Sequence, residues 1–261
     1  MILSTQNGVS FYRFANLTAC GGVDHRIFTR NCGCSQPPFA SLNVSFGIGD
    51  RQKNVVANRA VISRCMGSGR LVFTRQVHGC EIAVLSRDNE KSEATDARRT
   101  YSADAMVTDI FGRNLAIQVA DCQAVLMYEP IRRVIANVHC GWRGSIQNII
   151  GRTVEVMEQD FGCRRGRIRA GIGPSLGPCC AEFINFSTEI PMEFWRYKGL
   201  NRHFDFWSLS RDQLKRAGVK EINIESSGIC TRCHTDDFFS YRAQRTTGRV
   251  AAVIGLSEME S

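Results

Sequence analysis

LAIQVADCQAVLMYEPIRRVIANVHCGWRG, residues 115–144, carries three apolar runs of strand length, at 115–120, 124–128 and 134–138. Runs of five or six apolar residues, bounded by polar or turn-forming residues, suit buried strands better than helices. Residues 129–133, EPIRR, separate the last two runs. Proline cannot donate to a ladder, so this segment is a turn, and the flanking runs are expected to pair as a hairpin. The pattern then changes period. In SIQNIIGRTVEVMEQDF (145–161), Ile146, Ile149, Ile150, Val154, Met157 and Phe161 fall on one helical stripe.

Working outward, further strand-length runs lie at 71–77, near 82–86, at 168–173 and at 250–256. A second helix is expected over 208–218, with Ser208 or Ser210 as its N-cap and Gly218 as its stop. Strands, helices and a hairpin mixed in this way predict an α+β or mixed α/β fold. No repeat or linker divides the chain, so 1–261 is expected to form one domain. The longest polar segment, 86–104, reads as a surface loop. No glycine-rich dinucleotide or Walker motif stands at a strand-to-helix junction, which argues against Rossmann and P-loop architectures.

With 43% hydrophobic and 22% charged residues over 261 positions, the composition is that of a globular protein. There is no apolar stretch long enough for a membrane helix, and the opening MILSTQNGVSFYRFANL lacks the features of a secretory leader. A cytoplasmic setting is therefore expected, with no membrane partner. The net charge is +8, and the 33 basic residues include only five lysines. The arginines are dispersed, and the one dense cluster (RRGRIR, 164–169) has no interleaved aromatics, so no nucleic-acid partner is expected. Most of the 12 cysteines are expected to remain reduced. Cys230-x-x-Cys233-His234 has the spacing of a c-type haem attachment site and of half a zinc site. Haem attachment does not suit a cytoplasmic chain. A second zinc would need a partner for these residues that the sequence does not point to.

The chemistry gathers at strand ends. His78 follows VFTRQV, Cys122 follows LAIQVA and His139 follows VIANV. Two imidazoles and a thiolate could complete a three-ligand zinc site with one open position. They also resemble a blue-copper His₂Cys set, so copper is the alternative metal. Beyond His139, HCGWRGS places two glycines and Arg143 at the start of the expected helix, a candidate anion site. Each of these residues also has an ordinary structural reading taken alone.

TRQVHG (74–79), SADAMVTD (102–109), ADCQAVLMYEP (120–130), NVHCGWRG (137–144), GIGPSLGPCC (171–180), FDFWSLSRDQL (204–214) and FFSYRAQRTTGR (238–249) resemble, in order, the motifs of the YfiH-like, or laccase-domain, family. FTR (28–30) and SLN (41–43) extend the likeness over nearly the whole chain. The resemblance implies a layered α/β/β/α domain and metal ligands at His78, Cys122 and His139, the same triplet the strand ends suggest. It also implies a zinc-dependent purine nucleoside phosphorylase that splits adenosine, inosine or methylthioadenosine with phosphate, and adenosine deamination besides. Arg30, Asn43, Gln76, Arg143 and Arg242 are the expected substrate- or phosphate-binding residues, and Phe46, Trp142, Phe239 and Tyr241 the candidate purine-stacking aromatics. The chain departs from the family pattern at ADCQAVLM, which lacks a proline, and at Ser175, where a cysteine is usual.

Two other functions remain open on the residues alone. Cys122 could be the nucleophile of an amide hydrolase, with His139 or His78 as its base; or the chain could bind nucleotides without catalysis. Polyphenol oxidation needs a mononuclear copper and a trinuclear cluster, for which five histidines are too few. The assembly is expected to be a monomer or a homodimer.

Overall fold

The computed structural model of the protein describes residues 1–67, 69–86 and 101–258. Its twelve described strands are β1 (Ile2–Gln6), β2 (Val9–Arg13), β3 (Val23–Phe28), β4 (Arg70–Phe73), β5 (Ile82–Leu85), β6 (Ala105–Thr108), β7 (Arg113–Val119), β8 (Gln123–Glu129), β9 (Val134–Cys140), β10 (Arg169–Ile172), β11 (Ile224–Ser226) and β12 (Val250–Leu256). The helices are α1 (Ala15–Thr18), α2 (Gln52–Cys65), α3 (Trp142–Ile146), α4 (Ile149–Phe161), α5 (Phe186–Glu189) and α6 (Phe206–Arg216), with short 3₁₀ turns between them. The strands form two mixed six-stranded sheets, ordered β1-β2-β3-β12-β7-β4 and β11-β10-β8-β9-β6-β5.

The expected hairpin is present: β8 and β9 pair antiparallel, with Ala124 opposite His139 and Gln123 opposite Cys140. Both strands are buried along their whole length, because both faces are covered. Ala124, Leu126 and Tyr128 belong to the core between the sheets, whereas Val125 and Met127 pack under Ile150, Val154 and Met157 of α4. β12 divides in the same way, with Ala252 and Ile254 facing inward and Ala251 and Val253 facing outward beside Ile62 of α2. The result is a four-layer α/β/β/α stack. Strands with two buried faces read as continuous apolar runs, which is why 115–138 was readable.

The 145–161 helix differs from its expectation by being two helices. Asn148 adopts a left-handed conformation (φ 58°) and its side chain accepts from Gly151 N, so α4 begins anew after α3. The second helix starts slightly earlier than expected, at Phe206, because Asp205 rather than a serine caps it by accepting from Ser208 N. The strand at 71–77 ends at Phe73, where the chain leaves the sheet. Of the polar 86–104 segment, residues 87–100 lie outside those described.

Polar groups stitch the layers. Asn137 points between the sheets and donates to Leu115 O (2.8 Å) and Ala252 O (2.9 Å) of the opposite sheet. His25 of β3 is fully buried, stacks on Phe14 and accepts from Phe14 N at 2.7 Å through Nε2. Burial, reinforced by Arg13, pushes the His25 pKa down to about 4. Among the described residues no helix is long and apolar enough to cross a membrane.

Candidate active site

Strand β7 belongs to one sheet and β8 to the other, so residues 120–122 carry the chain from layer to layer. Asp121 makes this tight passage in a left-handed conformation (φ 86°), which short polar side chains tolerate better than most. Its groups are fully used. Oδ1 accepts from Thr231 Oγ1 (2.7 Å), Oδ2 from Arg242 N (2.6 Å), and the carbonyl from Leu176 N (2.8 Å). Asp121 thus fixes two distant loops around its neighbour, Cys122.

His139 lies at the end of β9 on the same inter-sheet side as Asn137. Its Nδ1 is 2.8 Å from Oδ1 of Asp104, a buried carboxylate that immediately precedes β6. Nδ1–H therefore donates to Asp104, and Nε2 is left free for the site. The same carboxylate accepts from three successive backbone amides, Val77 N (3.2 Å), His78 N (3.0 Å) and Gly79 N (2.8 Å). That concave turn sets His78 in a left-handed conformation (φ 59°). Its ring meets His139 edge-on with centroids 4.8 Å apart. One carboxylate therefore orients both histidines. Burial alone would raise the Asp104 pKa, but the hydrogen bonds from His139 and Gly79 hold it below its ordinary value.

The ligating atoms of His78, Cys122 and His139 all lie within 4.8 Å of one another. Burial opposes ionisation of the Cys122 thiol, yet the two imidazoles outweigh it and bring its pKa down to about 6. Burial likewise disfavours charged His139, but Cys122 and Asp104 raise it to about 9. A ready thiolate and two imidazoles, one backed by a carboxylate, match the donor set and supporting shell of a zinc centre. Gly141 supplies the room. A Cβ there would sit 3.0 Å from His78 Cδ2, 3.4 Å from Cys122 Sγ and 3.8 Å from His139 Cε1, inside the triad.

The triad opens on a cavity of about 610 Å³, within the usual range for a small-molecule site. Three arginines line it, Arg75, Arg242 and Arg249, together with the aromatic rings of Phe46, Trp142, Phe183, Phe206 and Tyr241.

The other expected site residues are divided. Gln76 lines the cavity, but its amide is spent on the backbone of Gln118, donating to its carbonyl and accepting from its N–H, both at 2.8 Å. Asn43 is fully buried and braces the 43–50 loop by donating to Asp50 Oδ2 and accepting from Arg249 N. Arg30 donates to Ala40 O and Thr235 O and covers the ring of Phe239, which is itself in the core. Arg143 is exposed, stacks over Trp142 and is not part of the cavity wall. Its guanidinium lies 4.9 Å from the ring centroid of Trp142, which does line the cavity. Arg242 does line the cavity.

Sequence reasoning passed over Asp104, Asp121, Arg75, Arg249 and Phe183. For Asp104 a signal existed: like Cys122 and His139, it stands at a strand boundary, within SADAMVTD.

The mixed α/β architecture of two six-stranded sheets sets the fold class, and sequence comparison gives the family. The chain belongs to the multi-copper polyphenol oxidoreductase laccase family, whose sequence profile matches residues 24–257. It is 34% identical to the "Purine nucleoside phosphorylase" of Deinococcus radiodurans over 268 aligned residues, covering 98% of this chain and 96% of the relative. It is 33% identical to the "Purine nucleoside phosphorylase YlmD" of Geobacillus stearothermophilus, covering 88% and 89%. The crystal structure of YlmD from Geobacillus stearothermophilus superposes with a TM-score of 0.85 at 30% identity, covering 98% of this chain and 99% of that one.

Proposed function

We propose that the protein is a zinc-dependent purine nucleoside phosphorylase that converts adenosine, inosine or methylthioadenosine and phosphate to free base and ribose 1-phosphate. The observation that carries the reading is the three-donor centre opening on a cavity with three arginines and several aromatic rings. This combination serves a substrate with an apolar, stackable base and a dianionic co-substrate. The names of the relatives point the same way.

His78, Cys122 and His139 would hold the metal, and zinc when bound supplies a Lewis acid for a substrate oxygen. Arg75, Arg242 and Arg249 place phosphate for attack on C1′ as the glycosidic bond loosens through an oxocarbenium-like state. Arg249 is half-buried, and the reduced screening there strengthens its grip on an anion. Phe46, Trp142, Phe183 and Tyr241 offer faces and edges to the purine and keep water from the sugar. Asp104 keeps the proton on Nδ1 of His139, so that Nε2 stays available. Adenosine deamination is a second outcome open to the same cavity.

A second reading has its own support. Without metal, the lowered Cys122 thiol beside His139 is a thiolate–imidazolium pair, the arrangement of a cysteine hydrolase. One experiment separates them: release of adenine, hypoxanthine and ammonia from adenosine and inosine, with and without phosphate, before and after chelation. Base release that requires both phosphate and metal supports phosphorolysis. Amide hydrolysis that persists after chelation and stops on Cys122 alkylation supports the hydrolase.

A further inference from the structure

We propose that Cys179, Cys180, Cys230 and Cys233 form a second, structural zinc site made of four thiolates. The two cysteine pairs lie far apart in sequence, and the fold brings them together. Cys179 and Cys180 sit in the turn that follows β10, and Cys230 and Cys233 in the turn that follows β11. Since β10 and β11 pair in parallel, both turns leave the same end of the sheet. A parallel bridge between Ser175 and Cys230 extends that pairing, with Ser175 N donating to Ile229 O (3.2 Å) and Thr231 N to Ser175 O (3.0 Å).

All four sulfurs lie within 4.8 Å of one another, with Cys179–Cys233 at 3.7 Å and Cys180–Cys233 at 3.6 Å. A regular tetrahedron with the usual zinc–sulfur distance has edges of about 3.8 Å. A disulfide would need about 2.05 Å, and every cysteine here is a free thiol. The Cys230 sulfur also accepts from Gly177 N at 3.3 Å, a bond that favours the thiolate form. Apolar packing does not account for the cluster, because Cys179 and Cys233 are exposed. His234 is not part of it. Its Nδ1 faces Cys230 O at 2.9 Å, so Cys-x-x-Cys-His here is one arm of a four-sulfur site rather than a haem motif. Four sulfurs in tetrahedral array select zinc or iron, and zinc needs no redox partner.

Four protein ligands leave no position for substrate, so the role is structural. The site would clamp the segment bearing Leu176, Ala181 and Phe183 to the one bearing Tyr241 and Arg242, two adjoining parts of the cavity wall. The Arg242 guanidinium already bridges them by donating to Cys180 O (3.2 Å) and Glu182 O (2.8 Å).

The test is metal analysis of the full chain purified under reducing, anaerobic conditions, as wild type, as Cys122→Ala and as Cys179→Ser/Cys233→Ser. The expected zinc contents are about two, one and one equivalents per chain. Cobalt(II) added to the metal-stripped Cys122→Ala protein should give the intense visible bands of a tetrahedral tetrathiolate ion. That measurement stands even if the double variant does not fold. A Cys122→Ala protein that carries no zinc and gives no such bands overturns the proposal. So does a Cys179–Cys233 disulfide in the anaerobic protein, or an equivalent of iron in place of zinc. Nucleoside cleavage plays no part in the assay, so failure of the phosphorylase reading would leave this result untouched.

Discussion

The two sulfur-bearing clusters of this protein differ in what surrounds them. Cys122 and His139 stand next to or on a core strand at the boundary between the two sheets, His78 stands on the loop between β4 and β5, and a buried carboxylate binds the His139 ring and the His78 backbone amide. The four cysteines stand on two turns at the edge of one sheet, held by backbone amides. Three mixed donors backed by that carboxylate face a cavity, whereas the four sulfurs face one another. The comparison teaches that the number of donors and the carboxylate behind them, rather than the presence of cysteine, separate a reactive centre from a staple.

The comparison breaks most sharply at Cys122. Cys122→Ala should lower kcat/KM for phosphorolysis by on the order of 10³-fold or more, the loss of several kcal/mol of charge stabilisation. An enzyme that keeps its rate with this change would make the triad no more than packing.

A pH titration sharpens the contrast once the acid response of the fold itself is subtracted. His25 is neutral in the folded state, with its pKa lowered from 6.5 to about 4. The unfolded chain therefore binds the extra proton first. The resulting stability, about 3 kcal/mol, is fully present above pH 6.5 and is lost as pH falls toward 4. Urea unfolding across that window should show the slope in the wild type and a flatter profile in His25→Gln, whose side-chain oxygen can still accept from Phe14 N. An identical slope in both proteins would assign the acid response elsewhere.

Asp104→Asn tests the carboxylate behind the triad. It should weaken zinc binding at that centre by about 10–100-fold, read by chelator competition, while leaving the four-cysteine zinc in place. Loss of both metals together would erase the distinction between the clusters.

Cys179→Ser/Cys233→Ser should act in the opposite sense. It should raise KM for nucleoside by a few-fold through a loosened cavity wall, with a smaller change in kcat. A fall in kcat with KM unchanged would place the cysteines in the chemistry. The smallest effect is expected at the surface: Arg143→Ala should change kcat/KM by less than about twofold, as is usual for exposed side chains away from the site.

Much of this was legible because β7, β8, β9 and β12 are largely buried on both faces and so appear as nearly continuous apolar runs. Cys122 and His139 were legible for a related reason, since each closes such a run or follows it, whereas His78 follows the apolar stretch 71–77, of which only the first part is strand. The N-terminal strands were missed: β1 is largely exposed, and β3 alternates Asp24 and Arg26 with its buried residues. Helix α2 was missed because its inward stripe includes Asn58, whose amide ties Ser35, Ser41 and Asn43 rather than packing as an apolar residue. The arginines were the least legible. Whether a guanidinium enters the cavity depends on loop paths, which left Arg143 outside and brought Arg249 within. The partners of Cys230 and Cys233 were invisible for the same reason, since only the parallel pairing of β10 with β11 brings Cys179 and Cys180 beside them.

The hairpin register has a consequence for how the centre comes into being. Cys122 and His139 flank one antiparallel pair with a short turn, so they meet as soon as that hairpin zips, a local and fast event. His78 depends instead on pairings in both sheets, β4 with β7 in the first and β6 with β9 in the second, where Asp104 accepts from its amide. A complete three-donor set therefore requires both sheets, so the triad marks the finished two-sheet stack.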